Sequence, residues 1–158
     1  MSAEGKRLPY QILVYICRRP TPETTEYLLL KRTADRGGFW QGVTGAAEPG
    51  ETLIQTAWRE VREETGYQRF ARFMALDLRY SYPLDRARWG HLYAPEVTTI
   101  TEECFGAEIT PDQGEPTLDA HEHEQYRWLS ARQALDLLAW PENQDALRRF
   151  VAIAGAQS

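Results

Sequence analysis

The sequence predicts an α/β fold in which a mixed sheet packs between helices. Three observations carry this expectation. Short apolar runs with strand character alternate with segments of helical spacing, and turn segments rich in Gly, Pro and Asp separate them. A chain of 158 residues with 42% hydrophobic content can bury one sizeable core. No repeat, low-complexity tract or linker divides the chain, so residues 1–158 are expected to form a single domain.

In chain order, Gln11 to Cys17 and Tyr27 to Arg32 read as two strands. A turn-like Arg19-Pro20-Thr21-Pro22-Glu23 segment joins them. Asp35 to Gly45 is a glycine-rich loop with a short strand around Gly42 to Thr44. Pro49-Gly50 suits the centre of a type II turn, where glycine accepts positive φ. A helix begins after Glu51, with Thr52 as N-cap and Gly66 as the residue just past its end. Leu53, Ile54, Ala57, Trp58 and Val61 give it an apolar stripe that anchors it by burial. Phe70 to Tyr82 and Thr99 to Ile109 read as strands, with a basic turn at Pro83 to Arg88 between them. Thr110 to Ala120 is a loop and Gln125 to Leu129 the final strand. Ser130 caps a helix over Ala131 to Ala139, and Pro141 opens another through Ala152.

Composition narrows the function. A net charge of −5 without a long basic run argues against a nucleic-acid or anionic-membrane binder. The longest apolar run, Ile12 to Cys17, is too short to span a bilayer. Met1 to Tyr10 lacks the apolar core of a signal peptide, so a cytoplasmic location is expected. Cys17 and Cys104 have no ligand spacing and read as small core hydrophobes.

The chemistry lies in the helix after Glu51. At about 100° per residue, Glu60, Glu63 and Glu64 fall within an arc of roughly 100°. Like charges so placed repel, and the C-terminal end of the helix dipole disfavours them further. A hard divalent cation reverses both penalties, so the pattern predicts a magnesium site. A solvated face neutralised by Arg59 and Arg62 would explain the charges but not their spacing.

The run Gly45-Ala46-Ala47-Glu48-Pro49-Gly50-Glu51, then seven residues, then Arg59-Glu60-Val61-Arg62-Glu63-Glu64-Thr65-Gly66 matches the signature of the Nudix hydrolases. The one departure is Tyr67, in a final slot that is usually aliphatic; it bears on packing after the helix and on no ligand. The resemblance implies an α/β/α sandwich, Mg²⁺ with Mn²⁺ as a substitute, and a small-molecule polyphosphate substrate. It makes Glu60 and Glu64 metal ligands, Glu63 a carboxylate for a second ion or its waters, and the Thr44 carbonyl a further ligand. Glu51 resembles the acid that fixes the signature arginine, Arg59, and so orients the metal face.

Outer segments resemble a subgroup, the bacterial dihydroneopterin triphosphate pyrophosphatases, also described as dATP pyrophosphohydrolases. These are Phe39 to Gly45, Tyr93 to Thr98 with Thr101-Glu102 beyond, His121-Glu122-His123, Tyr126 to Leu129 and Asn143 to Phe150. That likeness implies metal-assisted hydrolysis to a monophosphate and pyrophosphate, a step towards folate. It places Glu122 opposite the metals, as ligand or general base, with Glu60 the competing base; a surface acid beside Glu115, Asp119 and Glu124 is the plain alternative. His121 and His123 read as ordinary loop histidines. Arg32 matches an arginine that reaches phosphates, and Arg7 and Thr44 match positions near the ligand. Trp40 offers a stacking face for a ring, although such a residue is more often core. Arg86, Arg88 and His91 edge the pocket or form a solvated loop. A dinucleoside polyphosphate or broad nucleoside triphosphate hydrolase is the neighbouring expectation. A silent nucleotide-binding regulatory domain is another class, which the intact acids count against. Monomer and homodimer both stay open.

Overall fold

The computed structural model describes residues 6–155; the first five residues of the segment read for a leader lie outside them. The chain opens with a long hairpin, β1 (Tyr10–Thr21) and β2 (Thr24–Arg32), and continues through β3 (Trp40–Gln41) and β4 (Val43–Ala46) into α1 (Leu53–Thr65). Then follow β5 (Phe70–Pro83), the single turn α2 (Arg86–Trp89), β6 (Thr99–Ile109), β7 (His123–Leu129), α3 (Ala131–Leu137) and α4 (Pro141–Gly155). The strands form one sheet, antiparallel except for the β1–β6 pair.

The hairpin splays into a fork. β1 and β2 pair through Ile16↔Leu28 to Thr21↔Thr24. Above that point the stretch from Trp40 to Ala46 enters between them. It pairs with β2 at Lys31↔Trp40 and Leu30↔Gln41, and with β1 from Val14↔Val43 to Gln11↔Ala46. The expected short strand around Gly42 is therefore longer and divided between two partners.

Strand alternation gives the sheet two apolar faces. Ile12, Val14 and Ile16 pack with Ala57 and Val61 of α1; Leu13, Tyr15 and Cys17 pack on the other side with Ala134 of α3 and Leu147 and Phe150 of α4. The result is the expected α/β/α sandwich. Cys17 and Cys104 are free and buried in it.

Several boundaries differ from the sequence reading. β1 runs on to Thr21, leaving only Pro22-Glu23 as the turn: after Arg18↔Glu26 the register shifts, and the hairpin closes at Thr21↔Thr24. The basic turn after Pro83 closes as α2, capped by Asp85, whose carboxylate accepts from Arg88 N. α3 stops at Leu137 and α4 continues to Gly155. The apolar stripe of α1 is narrower than expected: Ala57 and Val61 are fully buried, whereas Ile54 and Trp58 are 44% and 57% exposed. They sit on the flank of the helix, where Trp58 rests against Phe70 and Phe73 at the start of the edge strand β5.

Candidate active site

α1 is fixed at both ends before it carries any chemistry. Thr52 and Gln55 form a reciprocal capping box, satisfying two of the free N–H groups at the helix start. Gly50 at φ 86° lets the chain turn into the helix, with Glu51 N donating to Glu48 O at 3.0 Å. Gly66 at φ 82° ends it in the left-handed conformation.

The helix then lies directly on β4. The Glu60 carboxylate packs against the Cα of Gly45, and a Cβ there would collide with Glu60 Cδ and Cγ. That contact explains the first glycine of the signature physically. Arg59 joins the two parts: its Nε and Nη2 donate to Glu51 at 2.7 and 3.0 Å, and Nη1 donates to Glu60 at 2.7 Å. Nη2 also donates to the Ala46 carbonyl of β4 at 3.1 Å. The Arg59 hydrogen bonds hold the Glu51 carboxyl down to about 2. Glu51 thus positions Arg59, and Arg59 positions Glu60.

Glu64, Glu122 and His123 form the centre of the acid cluster, with ligand atoms all within 4.8 Å of one another. Both Glu64 oxygens are buried and have no hydrogen-bond partner. Burial, then the neighbouring Glu60 and Glu122, push its carboxyl up to about 11. Burial likewise raises Glu60, against the opposing pull of Arg59. His123 is lowered to about 4 by burial and by Arg32, so its ring is neutral near pH 7. An isolated buried carboxyl of this kind is costly, and a divalent cation supplies the missing partner. The donor set therefore fits a divalent metal.

The cluster opens into a cleft of about 1310 Å³. Glu60, Glu64 and Glu122 lie on its lining with Thr44, Gly45 and Arg59; Arg7, Arg32, Arg36 and Arg88 supply positive charge, and His91 lies beside them. Gln11, Tyr80, Tyr82, Tyr93 and Glu102 line it further across the sheet, and Phe39 packs edge-on against Trp140 at its rim. Arg32 lies over the Phe39 ring at 5.3 Å.

The structure brings together Glu51, Arg59, Glu60, Glu64, Glu122, Thr44, Arg7 and Arg32. Two expected residues stand elsewhere. Trp40 does not line the cleft: it packs against the core on the α3–α4 face, because neighbouring strand residues point to opposite sides, and Phe39 faces the cleft in its place. Glu63 points outward, its side chain 54% exposed and 3.3 Å from Arg59. His123 was missed as a site residue. It is not a loop histidine; it begins β7, is 3% exposed, and faces Glu64. Arg36 was also missed, and lies 4.0 Å from Glu122.

A forked sheet, a glycine-seated acidic helix and a cleft with acids at one end and bases along its wall define the class: the chain belongs to the NUDIX domain family, whose model matches residues 9–150. Among its relatives, the dihydroneopterin triphosphate diphosphatase of Escherichia coli is 35% identical over 153 residues, covering 96% of this chain and 97% of that one. The solved structure of the E. coli dihydroneopterin triphosphate pyrophosphohydrolase superposes with a TM-score of 0.75 at 33% identity, over 95% of this chain and 99% of that one. An octanoyltransferase of Myxococcus xanthus is 34% identical over 125 residues, 79% of this chain, but this chain spans only 32% of that protein's length. No helix among the described residues is long and apolar enough to cross a membrane.

Proposed function

We propose that the chain hydrolyses dihydroneopterin triphosphate to the monophosphate and pyrophosphate, with Mg²⁺ as its metal and Mn²⁺ as a substitute. The observation that carries this reading is the pair of unpartnered Glu64 oxygens beside Glu122 and His123, at one end of a base-lined cleft. The 35% identity to the E. coli diphosphatase over nearly the whole of both chains supports the choice of substrate.

Glu60, Glu64 and Glu122 would hold the metal with the Thr44 carbonyl. When bound, the metal neutralises phosphate charge and lowers the pKa of water. Arg32 and Arg36 offer guanidinium forks that suit phosphate oxygens, and Arg7 adds a third positive group. Glu51 holds Arg59, which keeps Glu60 on Gly45. Glu122, part-exposed at the mouth of the cluster, accepts the proton of the attacking water; Glu60 is the competing base, more enclosed and already engaged by Arg59. Residues 1–158 act as one catalytic unit in the cytoplasm, as a monomer or homodimer and without nucleic acid.

The test is pyrophosphate release from a panel of dihydroneopterin triphosphate, dATP, dGTP, CTP and diadenosine polyphosphates. Dihydroneopterin triphosphate should have the highest kcat/KM. A tenfold preference for another member, roughly 1.4 kcal/mol of transition-state binding, would overturn the substrate. Tight nucleotide binding with no turnover would mark a silent regulatory domain.

A further inference from the structure

One carboxylate in the cleft stands apart from the acid cluster. Glu102 lies on β6, between β1 and β5. Its register partner on β1 is Gln11, whose Nε2 donates to Glu102 Oε2 at 2.5 Å. Its register partner on β5 is Tyr80, with Tyr82 two residues on. Ala46, Gln11, Glu102 and Tyr80 are thus successive partners in one row across β4, β1, β6 and β5. Strands repeat every 4.8 Å or so, which sets Glu102 roughly 10 Å from the β4 end of the row. β4 is the strand that seats Glu60.

Glu102 has no cationic partner among the ion pairs of the described residues. Gln11 supplies its one hydrogen bond among them, and that bond engages one oxygen. The other oxygen is not among the buried orphaned atoms. Glu102 therefore keeps acceptor capacity open to the tyrosine-walled part of the cleft, where a ligand can bring donors.

We propose that Glu102, clamped by Gln11, is a specificity-determining residue that reads the paired N–H edge of a 2-amino-4-oxopyrimidine ring. Pterins and guanine carry that edge: a ring N–H and an exocyclic NH₂ on adjacent atoms, matching two carboxylate oxygens as a guanidinium does. Adenine offers one amino group beside a ring acceptor, which a carboxylate repels. Cytosine presents the same mismatch. The inference rests on the reading that the cleft takes a heterocyclic triphosphate, and it supplies the ring-recognition half of that site. Burial raises the Glu102 carboxyl, opposed by Gln11, and an N–H pair would favour its charged form.

The test compares wild type, Glu102→Gln and Glu103→Gln. Glu103 is the adjacent strand residue; it faces the other way and lies 3.5 Å from Arg79. Steady-state kcat/KM is measured for dihydroneopterin triphosphate, dGTP and dATP. Neopterin binding is followed by its own fluorescence in excess chelator. Glu102→Gln should lower kcat/KM for the pterin and dGTP by about 10²-fold, mainly through KM, as for loss of a bidentate base contact. It should leave dATP undiminished or raise it, because a glutamine amide suits the donor–acceptor edge of adenine. Neopterin binding should weaken by a similar factor without metal, and Glu103→Gln should match wild type. An unchanged dGTP:dATP ratio in Glu102→Gln, or equal loss on both, overturns the proposal. If Glu102→Gln does not fold, Glu102→Asp decides. It should weaken pterin and dGTP selectively, and equal loss on all three substrates again overturns. If wild type cleaves nucleotides but not dihydroneopterin triphosphate, the substrate reading fails alone, and the dGTP:dATP ratio still judges Glu102.

Discussion

Glu64 and His123 face each other with Oε1 3.4 Å from Nδ1, both side chains 2% exposed, and neither has a hydrogen-bond partner. One residue closes α1 and the other opens β7, so the contact ties the acidic helix to the far side of the fork. Because burial disfavours charge on both, the pair is not an ion pair at neutral pH. Together with Glu122 it forms a donor set that fits a divalent cation.

The metal should therefore act on stability as well as rate. Adding Mg²⁺ or Mn²⁺ at about 100 times its Kd should stabilise wild type by about 2.7 kcal/mol. Glu64→Gln should lose that gain and nearly all turnover, yet remain at least as stable as wild type in chelator, since it removes a buried ionisable group. Thermal unfolding with and without metal measures both. Equal metal-dependent shifts in the two proteins would contradict the site.

Glu122→Gln should lower kcat by about 10²-fold or more, as for loss of a general base, with a smaller change in KM. Glu124→Gln is the control, because Glu124 lies 3.6 Å from Lys31 at the surface and does not line the cleft. Initial rates on the best substrate separate them. Equal, mild effects would return proton transfer to Glu60.

The Glu51–Arg59 pair should give a pH-dependent stability increment. Arg59 holds the Glu51 carboxyl at about 2, below its ordinary value of 4.5. The folded value is the lower one, so the increment is complete above about pH 4.5 and is lost as pH falls through about 2. Glu51→Gln should cost about 2 kcal/mol at pH 7, as for a charge-assisted hydrogen bond. Urea unfolding of both proteins should converge between pH 4.5 and 2.

Gly45→Ala should fold but lose activity. The added methyl occupies the place of the Glu60 carboxyl, with Oε1 only 2.6 Å away, so Glu60 must swing off β4. The expected result is a fall of about 10²-fold in kcat with weaker metal binding by calorimetry. Wild-type kinetics in this variant would show that the contact does not position Glu60.

α1 was legible from sequence because its signals are local: a capping residue at one end, glycine at the other and carboxylates at fixed spacing. Glu51, Arg59, Glu60 and Glu64 came with it. The fork was not legible, since Trp40 to Ala46 can pair with β1, β2 or both, and only the splay of the hairpin decides. Trp40 reads from sequence as either a stacking face or core for the same reason: its face depends on which strand it joins. His123 carried a usable signal, as the residue flanked by Glu122 and leading into a strand. Its burial, however, depends on the end of α1, a contact 59 residues away in sequence. Ile54 and Trp58 follow helical spacing yet stay exposed, because Ala57 and Val61 take the buried face of α1 and leave these two on its flank.

The row from Ala46 through Gln11 and Glu102 to Tyr80 gives the cleft a property that its loops cannot. Backbone hydrogen bonds fix each step of that row, so the distance from the phosphate end to the ring end cannot be tuned by side-chain rotation. The sheet works as a ruler. Loops at the rim can lengthen or shorten without changing the gauge, and a ligand is measured by whether it reaches both marks at once.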